Sequence, residues 1–559
     1  MPDKIRRWIA LHPNWTLTFV TLAALVPFLA KPFNIDDPLF IWIARQIHAH
    51  PGDPYGFAVN WYDTAMPMWQ VTQNPPLACY YLALAAAISG WSEVSLHFAC
   101  LFPALAVILG THRLARHFCN RPILAALVTL FSPVFLISST TIMCDVMMLA
   151  FWVWAVVFWL EGLERDDFGR LVFCGILIAL AALTKYFGVC LVPLLLACGV
   201  VSKRRLGWWA AVMLIPLAVL AIYQADTKIL YGHGLLSDAG SYTKTIRDKF
   251  GFSEATNVLT ALTFAGGCLA TAFFFAPLLW RKRTLLMLVA GGVLIAVSVL
   301  AEGAIQKNYF FLEHPNLRLL EIQIVFWAVG GICVLALAAS EMPMRRDARS
   351  WLLALWVLGT FLFVAFFNWT VNGRSILPMA PAVGILLARR LEQNILAGWK
   401  MRPVNVVFCL GLGGLLALLA AWVDFQQAVA VRQCARQVCA KYETGGEKLW
   451  FEGHWGFQYY MEAGGGSLVD LERSPLKNGD YLVLPWNNTN PRPPKPEFVI
   501  KREVLVAPSP CILTTMNVAA GSGFYASAFG PLPFVFGSAP PEKAAIFSLN
   551  LRSLKPASN

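Results

Sequence analysis

Two adjacent carboxylates, Asp36 and Asp37, follow the first long apolar run of the chain directly. Like charges side by side repel, and burial raises the pKa of at least one of them. Such a pair suits a general base or a cation site. The pair also reads as a helix start, because Pro38 opens an amphipathic run that continues to Arg45. Capping accounts for one acid and leaves the other unexplained. Lys185 sits between two apolar runs, 171–184 and 186–201, each short of the roughly 20 residues a spanning helix needs. The tip of that hairpin is therefore recessed, where a lysine is costly unless it meets an anion or snorkels to the headgroups. Arg374 precedes another short run at 375–388, and the same argument sets it at the same depth. Two recessed cations on one side suit a phosphate, with arginine as a bidentate donor and lysine as a point charge. A membrane protein meets phosphates on lipids. Asp145 opens the run 143–160 after Ser138, Ser139, Thr140 and Thr141, as a helix cap or a member of the same site.

Other polar residues say less. Glu313, His314 and His233 lie in loops, but their spacing gives a metal site no support. His48 and His50 read as a solvated helix end, and Trp91 and Glu93 as interfacial. The aromatic run from Gly453 to Tyr460 packs the tail onto the membrane rim or stacks on a sugar, and packing is the simpler reading. Of 13 cysteines, Cys174, Cys190, Cys198, Cys268 and Cys333 lie in apolar runs as small hydrophobes. Cys434 and Cys439 are left as a pair that an oxidising compartment would allow to join.

These residues need a frame. The 559-residue chain is 58% hydrophobic and 14% charged, with a mean hydropathy of +0.59. Soluble domains sit near 25% charged, so an ordinary soluble enzyme, a disordered chain and a nucleic-acid binder are all excluded. What remains is a polytopic α-helical membrane protein. Lys4, Arg6 and Arg7 precede an apolar run from Leu17 to Ala30 that ends in Lys31, Pro32, Phe33 and Asn34, without a small-residue cleavage site. It reads as a first membrane helix. The net charge of +12 gathers in clusters such as Arg113/Arg116/Arg121, Lys203/Arg204/Arg205, Arg281/Lys282/Arg283, Arg345/Arg346/Arg349 and Arg389/Arg390. If all are cytoplasmic, the runs between them pair off. Only the first interval has an odd run, 76–89, which follows Pro75 and Pro76 and reads as re-entrant. About thirteen spans result, with the N-terminus inside and the C-terminus outside. The long outer segments are then 31–75, 225–255, 303–317 and everything after 423. The chain divides into a membrane domain, 1–423, and a tail, 424–559, whose balanced charge and short β-like runs read as a small outer α/β domain.

In order along the chain, Asp36-Asp37, then Asn74-Pro-Pro-Leu77 with Tyr80, then Ser92-Glu93, Asp145, Lys185 and Arg374 with Pro378 form a familiar series. It resembles the GT-C glycosyltransferases of the protein O-mannosyltransferase-like and aminoarabinose-transferase-like group, over roughly residues 10–400. The resemblance implies a GT-C type membrane fold and a polyprenyl-phosphate sugar as donor. It implies that Asp36, with Asp37 as its acidic neighbour, acts at the acceptor. It further implies that Lys185 and Arg374 lie near the donor phosphate, with Asn74, Tyr80 and Asp145 in support. This chain departs from the group in having Asn74 where lysine is frequent and Leu39 where several members have arginine.

The expected reaction is an inverting single displacement on the outer face of the cytoplasmic membrane. Asp36 takes the acceptor proton, and Lys185 and Arg374 stabilise the departing polyprenyl phosphate. No cofactor is expected, nothing in the sequence requires a metal, and there is no Gly-rich nucleotide loop. The acceptor is a lipid, a polysaccharide or a protein of the cell envelope. Two other classes compete: a transporter or flippase of lipid-linked sugars, which would favour midplane charges and repeated halves, and a non-catalytic membrane scaffold.

Overall fold

The computed structural model describes residue 8 and residues 11–550, apart from 252, 304, 306, 308, 310–316, 345–346, 443–447, 490, 509–510 and 538–539. The basic residues Lys4, Arg6, Arg7, Arg345 and Arg346, and the Glu313–His314 pair, lie outside the described residues.

Among the described residues eight helices are long and apolar enough to cross a membrane, from Glu93–Ala115 to Pro403–Tyr442. The run read at 122–140 forms two helices, Pro122–Leu130 and Pro133–Ser139, bent by 63° and making a possible ninth span. Proline at 133 has no N–H for the helical ladder, so the helix restarts there. The Phe131 carbonyl at the break is not orphaned, because Thr271 Oγ1 donates to it at 2.5 Å. Thr271 belongs to a second broken segment. The apolar run 256–280, read from sequence as one span, folds as Glu254–Cys268, Ala270–Phe274 and Ala276–Leu279, with Pro277 opening the last piece. Pro13–Phe28 and Phe168–Thr184 are apolar but shorter, so the count of about thirteen is reached only when short and broken helices are included. The run 76–89 is the short helix Leu77–Ser89, which ends at Gly90 in the left-handed region with φ 87°.

Leu286, Met287 and Leu294 on Lys282–Ala301, and Phe98 and Phe102 on Glu93–Ala115, are exposed large apolar side chains. Exposure of this kind on long apolar helices fits a hydrocarbon surround. The 21-residue helix Asp145–Arg165 is about 31 Å long. Its far end carries Glu161, buried between Arg113 and Arg170. Arg113 and Arg170 therefore lie about one membrane thickness from Asp145.

The tail begins inside a single element. Pro403–Tyr442 is one helix of 40 residues, so the boundary drawn between 423 and 424 falls within it. Beyond it lies a five-stranded sheet in the order Ser467–Leu468, Leu449–Phe451, Tyr481–Pro485, Glu542–Leu549, Val499–Ala507. The strand Leu449–Phe451 runs parallel to its two neighbours. Glu542–Leu549 is antiparallel to both of its own, with Ala544 opposite Pro485 and Glu542 opposite Ala507. Ala435 and Val438 of the long helix pack on one face of the sheet against Phe451, Val483 and Ile546. The segment around 513–535 leaves this domain and joins the main core through Leu513, Phe524, Tyr525, Leu532 and Phe534. Among the described residues no disulfide forms, and Cys434 and Cys439 are not joined.

Candidate active site

The loop after the first helix is held under strain. Ile35 has φ 49°, a conformation a β-branched residue rarely adopts and one that gathers at functional sites. Asp37 holds it there. Its carboxylate accepts from the amide of Asn34 at 2.9 Å and from the amide of Ile142 at 3.1 Å. The side chain is wholly buried, and burial pushes its carboxyl up to about 7 against the nearby Lys31 charge. The two acids therefore part company: Asp37 turns inward as a fastener, and Asp36 faces a cavity.

That cavity has a volume of about 1230 Å³ and is lined by Asp36, Asn74, Asp145, Lys185 and Arg374 among others. Four of these form a chain of charges. Arg374 Nη2 lies 3.0 Å from Asp36 Oδ2, and its Nη1 lies 4.0 Å from Asp145 Oδ2. The other Asp145 oxygen accepts from Lys185 Nζ at 2.5 Å. Lys185 thus meets an acid and does not snorkel. Asp145 is 2% exposed, and it starts its helix without a side-chain cap bond. The two cations are brought within one carboxylate of each other.

Each member has a built support. Asn372 accepts from the Ser375 amide at 2.8 Å and so starts the short turn Gly373–Ile376 that carries Arg374. The Gly373 amide donates to Phe524 O at 2.7 Å. A Cβ at 373 would stand 2.4 Å from the Phe524 ring, so glycine is required by this close approach. The Tyr525 ring centroid lies 5.8 Å from the Arg374 guanidinium. Upstream, the π-turn Phe363–Phe367 sets Phe363 and Asn368 in the cavity wall. Lys185 follows Thr184 at the end of its helix, in the extended residue before a 3-10 turn, Tyr186–Cys190.

The remaining residues divide. Asn74 lines the cavity, with Cys144 Sγ 3.7 Å from its side-chain oxygen. Tyr80 does not line it: its hydroxyl donates to Pro51 O at 2.5 Å and ties down the loop. Glu93 pairs with Arg432 at 2.5 Å and accepts from Tyr460. Among the described residues no group of three or more His, Cys, Asp or Glu side chains has a metal-holding arrangement.

Sequence reasoning missed two things. Lys31 and Asp424 form a wholly buried pair at 2.5 Å. Asp424 also accepts from Thr515 Oγ1 and from Tyr525 Oη, each at 2.8 Å. A lone acid late in an apolar helix, and a lysine just after the first run, were the available signals. The second is the roof of the cavity, which the tail supplies through Trp455, Trp486, Asn488, Asn517 and Lys543.

Comparison with known proteins adds the following. Residues 73–227 match the sequence model of the family described as dolichyl-phosphate-mannose-protein mannosyltransferase. That segment holds Asn74, Asp145 and Lys185. The match agrees with the GT-C resemblance and supports a membrane glycosyltransferase. No curated protein matches the chain. Among solved structures, the chain is similar to the archaeal oligosaccharyltransferase AglB from Archaeoglobus fulgidus in complex with an inhibitory peptide and a dolichol-phosphate. There the identity is 14% and the TM-score 0.49, over 85% of this chain and 70% of that one. It is also similar to ArnT from Cupriavidus metallidurans bound to undecaprenyl phosphate, at 14% identity and TM-score 0.45, over 86% and 92%. The arabinofuranosyltransferase AftD from Mycobacteria matches at 14% identity and TM-score 0.36, over 98% and 40%.

Proposed function

We propose that this protein moves a sugar from a polyprenyl-phosphate donor to a cell-envelope acceptor on the outer face of the cytoplasmic membrane, with inversion at the anomeric carbon. The observation that carries the reading is the charge chain Asp36–Arg374–Asp145–Lys185 at the wall of one large cavity. The acceptor hydroxyl or amine gives its proton to Asp36 as its lone pair attacks the anomeric carbon. The bond from that carbon to the phosphate oxygen breaks, and its electrons leave with polyprenyl phosphate. Arg374 and Lys185 hold the charge that develops on the phosphate. The sugar changes face once, which is inversion. Arg113 and Arg170, one helix length away, support an orientation with this cavity outside.

The test is release of polyprenyl phosphate from a panel of polyprenyl-phosphate sugars, with cell-envelope extract as acceptor, by wild type and Asp36→Asn in lipid. The expected result is turnover in the wild type and a loss of about 10²- to 10⁴-fold in the variant, with donor binding retained. Near-normal transfer by Asp36→Asn removes the base assignment. No release from any donor favours a transporter instead.

A further inference from the structure

Six charged residues line the cavity: Asp36, Asp145, Lys185, Lys249, Arg374 and Lys543. Asp36 and Asp145 are taken up by Arg374 and Lys185. Lys249 and Lys543 remain, and neither has a carboxylate within ion-pair distance among the described residues. Among the described residues, the wall outside the reaction centre is therefore cationic with no acid lining it. Uncompensated charge of one sign in a cleft focuses its field on a counter-ion.

Lys543 is not a loose surface lysine. It lies in the strand Glu542–Leu549, and its carbonyl accepts from the Trp486 amide at 2.9 Å. The ladder between Tyr481–Pro485 and Glu542–Leu549 thus fixes the two side chains next to each other. Lys543 Nζ lies 5.1 Å from the Trp486 ring centroid, while 48% of Trp486 stays exposed. The next residue, Asn487, is pinned by bonds to Met516 O and Glu542 Oε1, both at 3.0 Å. A half-open indole face held rigidly beside an ammonium meets a ligand with an apolar face and an anionic edge. A sugar ring presents C–H bonds on one face and hydroxyls at its rim, and Thr489 and Asn517 border the same cavity with hydrogen-bonding side chains. A second indole, Trp455, reaches the cavity from a backbone with φ 60°, again a strained conformation for a bulky residue.

We propose that Trp486 and Lys543, with Lys249 on the helix Leu235–Phe250, form an acceptor subsite for an anionic saccharide, a sugar ring that carries a carboxylate or a phosphate. The proposal rests on reading the cavity as a transferase site. It deepens that reading by assigning the acceptor class and giving the tail its role.

The test uses the full chain in lipid nanodiscs. Binding of trigalacturonic acid and of a phosphorylated mannotriose is measured against galactotriose, mannotriose and a glutamate-rich peptide of equal charge. The acidic saccharides are expected to bind at least about tenfold more tightly than the neutral ones. Lys543→Gln should remove that difference and leave neutral-sugar binding unchanged, Lys543→Arg should restore it, and Trp486→Ala should weaken both. Equal binding of acidic and neutral sugars overturns the proposal, as does tighter binding of the peptide or an unchanged preference in Lys543→Gln. Release of polyprenyl phosphate is followed in parallel. If Lys543→Gln raises the KM for the donor and leaves acceptor binding alone, these cations serve the donor, and the subsite fails while the transferase stands. If acidic sugars bind with the expected selectivity and no donor is turned over, the subsite stands and the transferase reading fails.

Discussion

Arg374 stands between two carboxylates, 3.0 Å from Asp36 and 4.0 Å from Asp145, and its Nε has no partner among the described residues. A guanidinium keeps its charge at any working pH and spreads its donors over a rigid fork. In the proposed reaction an arriving phosphate competes with Asp36 for that fork, and the competition would free the carboxylate to act as base. Lysine, a single point charge, cannot bridge both acids at these separations. Arg374→Lys should therefore raise the donor KM and lower kcat by about tenfold or more, and Arg374→Ala should cost about 10²- to 10³-fold in kcat. A donor titration in steady state reads both effects, and a kcat unchanged in Arg374→Ala would remove the residue from the proposed reaction. Asp36, Asp145, Lys185 and Arg374 were legible because charge next to apolar sequence is costly and calls for a reason. Which of the two adjacent acids turns outward was not legible. That depends on the amide of Ile142, more than a hundred residues away, reaching Asp37. Tyr80 drew notice through its motif alone, and its hydroxyl instead holds the Pro51 carbonyl.

The helix Trp455–Ala463 fixes the loop that carries Asp36. Its Tyr460 hydroxyl accepts from the Phe33 amide at 2.9 Å, and the Tyr459 ring meets Phe33 edge to face at 5.3 Å. Gly456 makes the contact close. A Cβ there would lie 2.3 Å from Phe33 O, a backbone atom that cannot swing aside. Gly456→Ala must push the helix off the loop, at a cost of about 1–3 kcal/mol for an overpacked contact. The expected outcome is a lower thermal midpoint and lower transfer, with the donor KM changed less than kcat because Lys185 lies on another element. A wild-type midpoint and kcat in Gly456→Ala would show that the tail helix does not position the loop. The aromatic motif at 453–460 was legible as packing, and packing is most of what it does. The membrane helices were legible too, since each apolar run is helical. Their breaks were harder to read. Hydropathy sums over Leu269 and Phe275 without noticing that the chain stops and restarts there, and only Pro133 and Pro277 mark the sites.

The molecule closes its cavity with parts from distant stretches: the loop that carries Asp36, the starts of two membrane helices, the helix Leu235–Phe250 and the tail. The tail is held to the rest by the buried Lys31–Asp424 pair and its bonds to Thr515 and Tyr525. The tail also hides one more acid. Glu542 is 6% exposed and accepts from Asn487 Nδ2 at 3.0 Å. Burial pushes its carboxyl from an ordinary 4.5 up to about 7, with the Asn487 bond opposing. Between those two values the folded protein holds a proton that the unfolded chain has released. Stability from this group is therefore complete below about 4.5 and is lost as pH rises through about 7. The loss is on the order of 3 kcal/mol by the linkage relation. It falls on the strand that carries Lys543 and on Asn487 in the cavity roof. Glu542→Gln keeps an oxygen for Asn487 and cannot ionise. Its thermal midpoint should match the wild type near pH 4.5, exceed it at pH 8, and vary less between them. Hydrogen exchange of the strands Tyr481–Pro485 and Glu542–Leu549 should show the same divergence locally. Parallel midpoint curves for the two proteins would mean that Glu542 ionises in the folded tail without cost.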